Sequence, residues 1–378
     1  MMNTKHQTSN PPNKRRINIE RSTTSKSKLE VIGNGLLVRA PGKINLSLLV
    51  AGKRSDGYHE LETIMAKIDW FDEILIEKKT EDPASPKGYA EASRRQKTED
   101  GRRKNVQYPI SNDKCRSETG IELICKGPYE VPAGEDNLVY KAAKVILDSA
   151  GPPTTTFEGK QAPPYNSTGW KPVPQIRITL TKNMPAGTGL GSGSSDAAGT
   201  LMGINRFLKL GFGKKKLMEL AAKLGSDVAF FLGGPVAMCT GRGEKVKKID
   251  KCEFGVLLIV PDVNVSTQRV YANYRHDPAK YGRLHKEING YIKKKRIDLV
   301  CELCANMLQE SCFELHPELE ELKKRIERAG IRPLCLSGSG SSMYCVINDR
   351  NEEGVKAYRD NLARDFSCGN VIVNNNSW

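Results

Sequence analysis

The run Met184-Pro-Ala-Gly-Thr-Gly-Leu-Gly-Ser-Gly-Ser-Ser-Asp-Ala-Ala198 places four glycines and three serines between two apolar patterns of different period. Before it, Ile176, Ile178 and Leu180 alternate as in a strand; after it, Ala197, Ala198, Leu201, Ile204 and Leu208 recur as on a helix face. A strand, a glycine-rich loop and a helix N-terminus in that order suit phosphate. Glycine lets the backbone take positive φ and lets a bulky anion come close. The helix start adds unpaired N–H groups and the positive end of its dipole. The expected ligand is a nucleotide triphosphate in the loop Pro185, Ala186, Gly187, Thr188, Gly189, Leu190, Gly191, Ser192, Gly193, Ser194 and Ser195, held by backbone N–H groups from Gly187 to Ser195. No lysine closes the run as a Walker A loop requires, and the spacing is not the Gly-x-Gly-x-x-Gly of dinucleotide folds. A glycine-rich run alone also fits a plain flexible turn, so the rest of the chain must decide.

Other chemistry-bearing residues are ambiguous singly. Lys43 follows Pro41-Gly42 on a strand-like run and could be a solvated strand residue. Asp227 precedes the apolar run Val228 to Leu232 and could be an acid at a helix N-terminus, worth up to about 1 kcal/mol. Tyr58 and His59 could be an ordinary loop pair beside a turn.

Taken together they carry a resemblance. Pro185-x-x-x-Gly189-Leu190-x-Ser192-Gly193-Ser194-Ser195-x-Ala197 resembles the ATP loop of the GHMP kinases, which include galactose, homoserine and mevalonate kinases. Arg39-Ala-Pro-Gly-Lys-Ile-Asn-Leu-Ser-Leu48 and Leu336-Ser-Gly-Ser-Gly-Ser-Ser-Met343 are similar to that superfamily's first and third motifs, in the same order. Gly57-Tyr58-His59-Glu60-Leu61 is similar to the signature of the branch acting on 4-(cytidine 5′-diphospho)-2-C-methyl-D-erythritol. Further matching blocks are Glu135 to Leu138, Leu180 to Gly187, Leu224 to Val228 and Val265 to Tyr271, so the likeness spans roughly residues 36 to 347.

The resemblance implies an α+β, two-lobed fold with the active site between the lobes. It implies ATP with Mg²⁺, and direct in-line phosphoryl transfer to the 2-hydroxyl of the cytidine substrate, in the non-mevalonate route to isoprenoid precursors. Asp227 would be the catalytic base and Lys43 its electrostatic partner, keeping the carboxylate ionised. A serine hydroxyl such as Ser195 would reach the metal. Asn137 would lie near the adenine. Tyr58 and Tyr271 would stack on the cytosine and His59 would read its edge, while Asn45 and Lys182 would contact the methylerythritol and diphosphate end and Thr267 the acceptor group. Alternatives are a homoserine- or mevalonate-type kinase, against which the aromatic residues argue, and a non-catalytic nucleotide sensor, against which Lys43 and Asp227 argue.

Composition narrows the classes. A chain of 378 residues with 38% hydrophobic content supports two domains or one bilobal unit. The net charge of +15 invites nucleic acid, but basic density is confined to the tail, to Arg94–Lys104 and to Lys293–Arg296, with no nucleic-acid motif. The expected partner is therefore a small anionic substrate drawn by positive potential. Of ten cysteines, Cys125, Cys239, Cys335 and Cys345 sit in apolar runs as core thiols do, and Cys301, Cys304 and Cys312 lie among leucines at helical spacing, which favours packing over zinc. Reduced thiols and the lack of a signal-peptide pattern predict a cytoplasmic protein, or a plastid one should the basic tail act as a transit peptide. No apolar run approaches the roughly 18 residues of a membrane span.

The elements that must position these residues follow. Residues 1–35 read as a disordered basic tail. Residues 36–212 read as an ATP-binding domain, strand-rich to Lys78, with polar inserts at about 80–118 and 150–174; residues 213–378 read as a second domain. Asp136 is expected to cap a helix carrying Leu138, Ala142, Val145 and Ile146. Helices are expected near 194–208, 214–224, within 284–330 and at 350–365, and strands at 254–260, 334–336 and 343–347.

Overall fold

The computed structural model describes residues 28–79, 115–116, 120–150, 175–250, 253–347 and 368–375. Most of both inserts and the helix expected at 350–365 lie outside them.

Two long strands organise the molecule. β2 (Gly35–Lys53) and β3 (His59–Lys78) pair antiparallel along nearly their whole length. β1 (Leu29–Ile32) pairs with β2, so these residues, expected in the tail, form an edge strand instead. The first half of β3 pairs with β7 (Val236–Gly241) and the second half with β6 (Ile176–Thr181), which runs parallel to β5 (Ile121–Lys126). β4 (Cys115–Arg116) and β8 (Lys245–Lys248) complete an eight-stranded mixed sheet. A second, antiparallel sheet has the order β10 (Cys335–Leu336), β11 (Met343–Ile347), β9 (Gly255–Val260), β12 (Gly369–Asn374).

Helices cover these sheets. α1 (Leu138–Ala150), α2 (Ser192–Phe207), α3 (Lys214–Leu224) and α4 (Val228–Phe231) share one core with Val38, Ile74, Ile76 and Ile178. α5 (Thr267–Asn273), α6 (Pro278–Lys293), α7 (Ile297–Leu303), α8 (Gln309–Leu315) and α9 (Pro317–Arg328) border a second core, where Ile44, Leu46 and Leu48 of β2 meet Leu257 of β9 and Leu336 of β10. β2 thus serves both cores, which is why its residues from Ala40 to Val50 are buried or nearly so on both faces. Elements after residue 212 still pack with the first sheet. α3, α4, β7 and β8 belong to the first lobe, because β7 extends the sheet beside β3 and Leu220, Ala221 and Phe230 fill the first core.

Small residues set the glycine-rich loop's height over the sheet. A Cβ on Gly203 would lie 2.5 Å from Ile76 Cδ1 and 2.8 Å from Val38 Cγ2, so α2 rests on β2 and β3 more closely than any side chain allows. The pairing of β2 with β3 shifts register between Pro41 and Gly42, just before Lys43, and such bulges re-aim the following side chain.

One cysteine expectation is corrected. Cys335, expected as a reduced core thiol, is disulfide-bonded to Cys304, their Cα atoms 5.0 Å apart where α7 ends beside β10. Cys125, Cys239, Cys301, Cys312, Cys345 and Cys368 are buried and not joined in a disulfide. Among the described residues, no helix is long and apolar enough to cross a membrane.

Candidate active site

The three glycine-containing segments converge. Lys43 N donates to Leu190 O at 2.9 Å, and Ser342 N donates to Thr188 O at 3.0 Å. Ser337 Oγ donates to Gly189 O at 3.0 Å and accepts from Asn45 N at 3.2 Å. Gly189 sits at φ +81, and a Cβ there would come within 2.2 Å of Ser337 O, so glycine is required both by conformation and by the approach of the third segment. Asn306 Nδ2 secures that segment from below, donating to Leu336 O and Gly338 O at 2.9 and 2.8 Å.

The phosphate loop has the features of an anion cradle. Gly187, Gly189 and Gly191 all adopt positive φ, and Gly191 caps α2 without a side-chain hydrogen bond. The first turn of α2 therefore keeps its N–H groups for a ligand. Ser195 N is an exception within the expected cradle, since it donates to Gly191 O as a regular helical bond. Ser195 Oγ is buried with no hydrogen-bond partner, as are the hydroxyls of Ser341 and Ser342. An unsatisfied buried hydroxyl beside an open helix terminus suits a phosphate oxygen or a phosphate-bound cation. No group of three or more His, Cys, Asp or Glu among the described residues could hold a metal. That donor set fits Mg²⁺ only in the form in which it is held mainly by phosphates and water, with few protein ligands.

Lys43 and Asp227 come together as expected. Lys43 Nζ lies 3.7 Å from Asp227 Oδ2 and donates to Asn45 Oδ1 at 2.6 Å and Gly189 O at 2.9 Å. Burial lowers the Lys43 pKa below the ordinary lysine value, and Asp227 partly opposes the fall. Asp227 itself is about one-third exposed at the N-terminus of α4, and its side chain makes no capping bond, which leaves the carboxylate free to face the cleft. The turn between β7 and β8 closes over it: a Cβ on Gly243 would lie 3.5 Å from Asp227 Oδ1.

The aromatic residues gather on one side of Asp227, in an arrangement other than the expected clamp. His59, not Tyr58, stacks on Tyr271, with centroids 5.2 Å apart, and meets Tyr274 edge-on. Tyr58 is 56% exposed, and the Arg242 guanidinium covers its ring at 5.1 Å. Burial, then Lys53 and His276, lower the His59 pKa, which favours the neutral ring. Burial, with Asp227 adding to it, raises the Tyr271 pKa, placing this phenol close enough to feel the carboxylate. Thr267, the first residue of α5, shares a 2.8 Å hydrogen bond with Ser339, joining the third segment to the aromatic helix.

Three expected ligand-contacting residues have their polar groups engaged by protein. Asn45 Oδ1 accepts from Lys43, and its Nδ2 donates to Thr63 Oγ1 at 2.9 Å, so it braces the lysine. Lys182, expected at the diphosphate, is 1% exposed and bonds Asp72 and Asp196 in a buried cluster behind the loop. Burial opposes that ammonium, but Asp196 and Asp72 hold its pKa above the ordinary value. Asn137 Nδ2 donates to Pro132 O at 2.6 Å and its Oδ1 accepts from Val139 N at 2.8 Å. Asn137 thereby caps α1, a role expected of Asp136. The tight spacing of the Asp-Asn-Leu block is a capping signal that could have found it.

Sequence reasoning missed Ser337 as a link between glycine segments, Arg242, Tyr274 and the Asp72–Lys182–Asp196 cluster. Asp196, Ser337 and Lys182 carried a signal, through their places in the quoted motif blocks; Arg242, Tyr274 and Asp72 carried none.

Residues 137–235 match the GHMP kinases N terminal domain and residues 288–363 the GHMP kinases C terminal domain. The chain is 34% identical over 318 residues to the 4-diphosphocytidyl-2-C-methyl-D-erythritol kinase of Geobacillus sp. (strain WCH70), covering 82% of this chain and 88% of that one. It is 32% identical over 316 residues to the kinase of the same name from Bacillus cytotoxicus, with 83% and 88% covered. A crystal structure of 4-(cytidine 5′-diphospho)-2C-methyl-D-erythritol kinase superposes with TM-score 0.59 at 25% identity, covering 89% of this chain and 98% of that one. A homoserine kinase from Cytophaga hutchinsonii superposes with the same TM-score, 0.59, at 17% identity over 92% and 96% of the chains, a likeness of fold alone.

Proposed function

Since the chain belongs to the 4-diphosphocytidyl-2-C-methyl-D-erythritol kinase family of the GHMP kinases, we propose that it transfers the γ-phosphoryl group of ATP to the 2-hydroxyl of 4-(cytidine 5′-diphospho)-2-C-methyl-D-erythritol. The observation that carries the reading is the Lys43–Asp227 pair at 3.7 Å, set between the phosphate loop and the His59/Tyr271 stack. A triphosphate on one side and a base-bearing acceptor on the other would meet at that pair.

Phosphoryl transfer depends mainly on positioning and on charge stabilisation. Asp227 takes the proton of the acceptor hydroxyl as its oxygen attacks the γ-phosphorus in line, and the bond to the β-phosphate oxygen breaks to release ADP. Lys43, anchored on Asn45 and Gly189, presents its ammonium to Asp227 and to the oxygens gathering charge. Backbone N–H groups at the start of α2 and in the loop hold the phosphates. Mg²⁺ bound with the nucleotide would neutralise charge on the phosphates, with the Ser195 hydroxyl as a donor from the chain. His59, Tyr58 and Tyr271 receive the cytosine; base–aromatic stacking is worth about 1–3 kcal/mol.

The test is ADP release by the purified chain with Mg·ATP and the cytidine-diphospho substrate, beside homoserine and mevalonate. Turnover with the cytidine substrate alone is expected; turnover with a control instead would overturn the acceptor assignment.

A further inference from the structure

Lys43 has a cross-strand partner that the reaction does not obviously need. In the pairing of β2 with β3, Lys43 stands opposite Lys67, so both side chains leave the same face of the sheet. α4 lies over that face. Lys43 meets the helix at its N-terminal residue, Asp227. Lys67 meets its other end: Nζ donates to Phe231 O and to Gly233 O, both at 3.0 Å, and lies 5.7 Å from the centre of the Phe230 ring. A cation on C-terminal carbonyls is the favoured end for the helix dipole.

The far end of α4 matters to the near end because the helix is one turn long. Phe231, whose carbonyl Lys67 binds, stands four residues beyond Asp227, a rise of about 6 Å. A helix this short has almost no intrinsic stability and takes its orientation from what holds its ends. Phe231, whose carbonyl Lys67 binds, also abuts the phosphate loop, since a Cβ on Gly191 would lie 3.2 Å from its ring and 3.0 Å from the Lys43 stem. The seat of α4 therefore fixes both the carboxylate and one wall of the loop.

Lys67 is fully buried, and burying an ammonium is unfavourable where an apolar side chain of similar length could fill the space. Resting on the phosphoryl-transfer reading above, we propose that Lys67 is a positioning residue for catalysis, holding α4 by its C-terminal carbonyls so that Asp227 meets the acceptor hydroxyl. Its register opposite Lys43 makes the two lysines a matched support, one at each end of the helix.

The test compares wild type, Lys67→Met and Lys67→Gln as full-length chains, with kcat, KM for ATP, KM for the cytidine substrate and thermal unfolding of each. Met keeps the length and loses the donors; Gln keeps N–H donors. A displacement of about 1 Å in a reacting group can cost about a hundredfold. Lys67→Met is expected to unfold cooperatively, to lose about ten- to a hundredfold in kcat and to keep both KM values within about twofold, and Lys67→Gln to recover most of the loss. A kcat within about twofold of wild type, a parallel worsening of both KM values, or a Gln variant no better than Met would overturn the proposal. Should Lys67→Met not fold, Lys67→Gln decides by the same split: a lowered kcat with unchanged KM supports it and an unchanged kcat rejects it. Wild type measured alongside separates the failures. No wild-type turnover rejects the phosphoryl-transfer reading and this inference with it; wild-type turnover with unaffected variants rejects the role of Lys67 alone.

Discussion

Lys43 donates to Asn45 and Gly189 and pairs with Asp227, three partners from three places in the chain. Such anchoring leaves the ammonium little freedom, while the Asp227 side chain makes no capping bond and can meet an incoming hydroxyl. Asp227→Asn keeps the shape and removes the base. It is expected to lower kcat by at least about a thousandfold, a loss of roughly 4 kcal/mol in transition-state stabilisation, while ATP affinity measured by calorimetry stays within about threefold. Retained turnover would remove the base assignment. The residue scale is also where sequence reading was least secure. Lys182 and Lys43 are both lysines in matching blocks, yet one faces the cleft and the other is buried between Asp72 and Asp196. Asp72 lies 110 positions from Lys182, and Gly189 lies 146 from Lys43, partners that no local pattern contains.

At the scale of elements, the strand–loop–helix unit from Ile176 to Phe207 matched its sequence pattern, because alternation and helical spacing are local properties. α4 did not announce itself as a mechanical part. Its support by Lys67 has a consequence for stability. Burial, with Lys28 and Lys214 adding to it, lowers the Lys67 ammonium from 10.5 to about 7. Below about pH 7 folded and unfolded chains both hold that proton, and the penalty for burying it is constant. Between about pH 7 and 10 the unfolded chain holds more protons than the folded one, so this group makes stability rise with pH. Chemical denaturation across that range should show wild type gaining on Lys67→Met as pH increases; a flat difference would mean that the buried lysine does not titrate there.

For the molecule as a whole, β2 and β3 tie the two cores together, and the site lies where they cross from one to the other. The second core carries an additional constraint in the Cys304–Cys335 disulfide, 31 residues apart, directly before the third glycine segment. Closing a loop of that size in the unfolded chain stabilises by about 2–4 kcal/mol. Cys304→Ser should lower the urea midpoint of the oxidised protein by a corresponding amount, and wild type treated with a reductant should match the variant. Equal midpoints for oxidised wild type and the variant would show that the bond contributes nothing to stability.

The sequence by itself determined a glycine-rich strand–loop–helix unit and the α+β character, because glycine spacing and side-chain period act over a few residues, and its motifs carried the family resemblance that implied the Lys43–Asp227 pair. The tertiary structure alone decided which polar side chains remain available. It turned Asn137 into a helix cap, Asn45 into a brace and Lys182 into the centre of a buried cluster, and it brought Ser337 onto Gly189 and Lys67 beneath α4. It also paired β7 and β8 onto the first sheet and joined Cys304 to Cys335. The physical reason is common to all of these. Hydrogen bonds and burial join partners far apart in sequence, and whether a charge meets substrate or protein depends on what the fold packs against it.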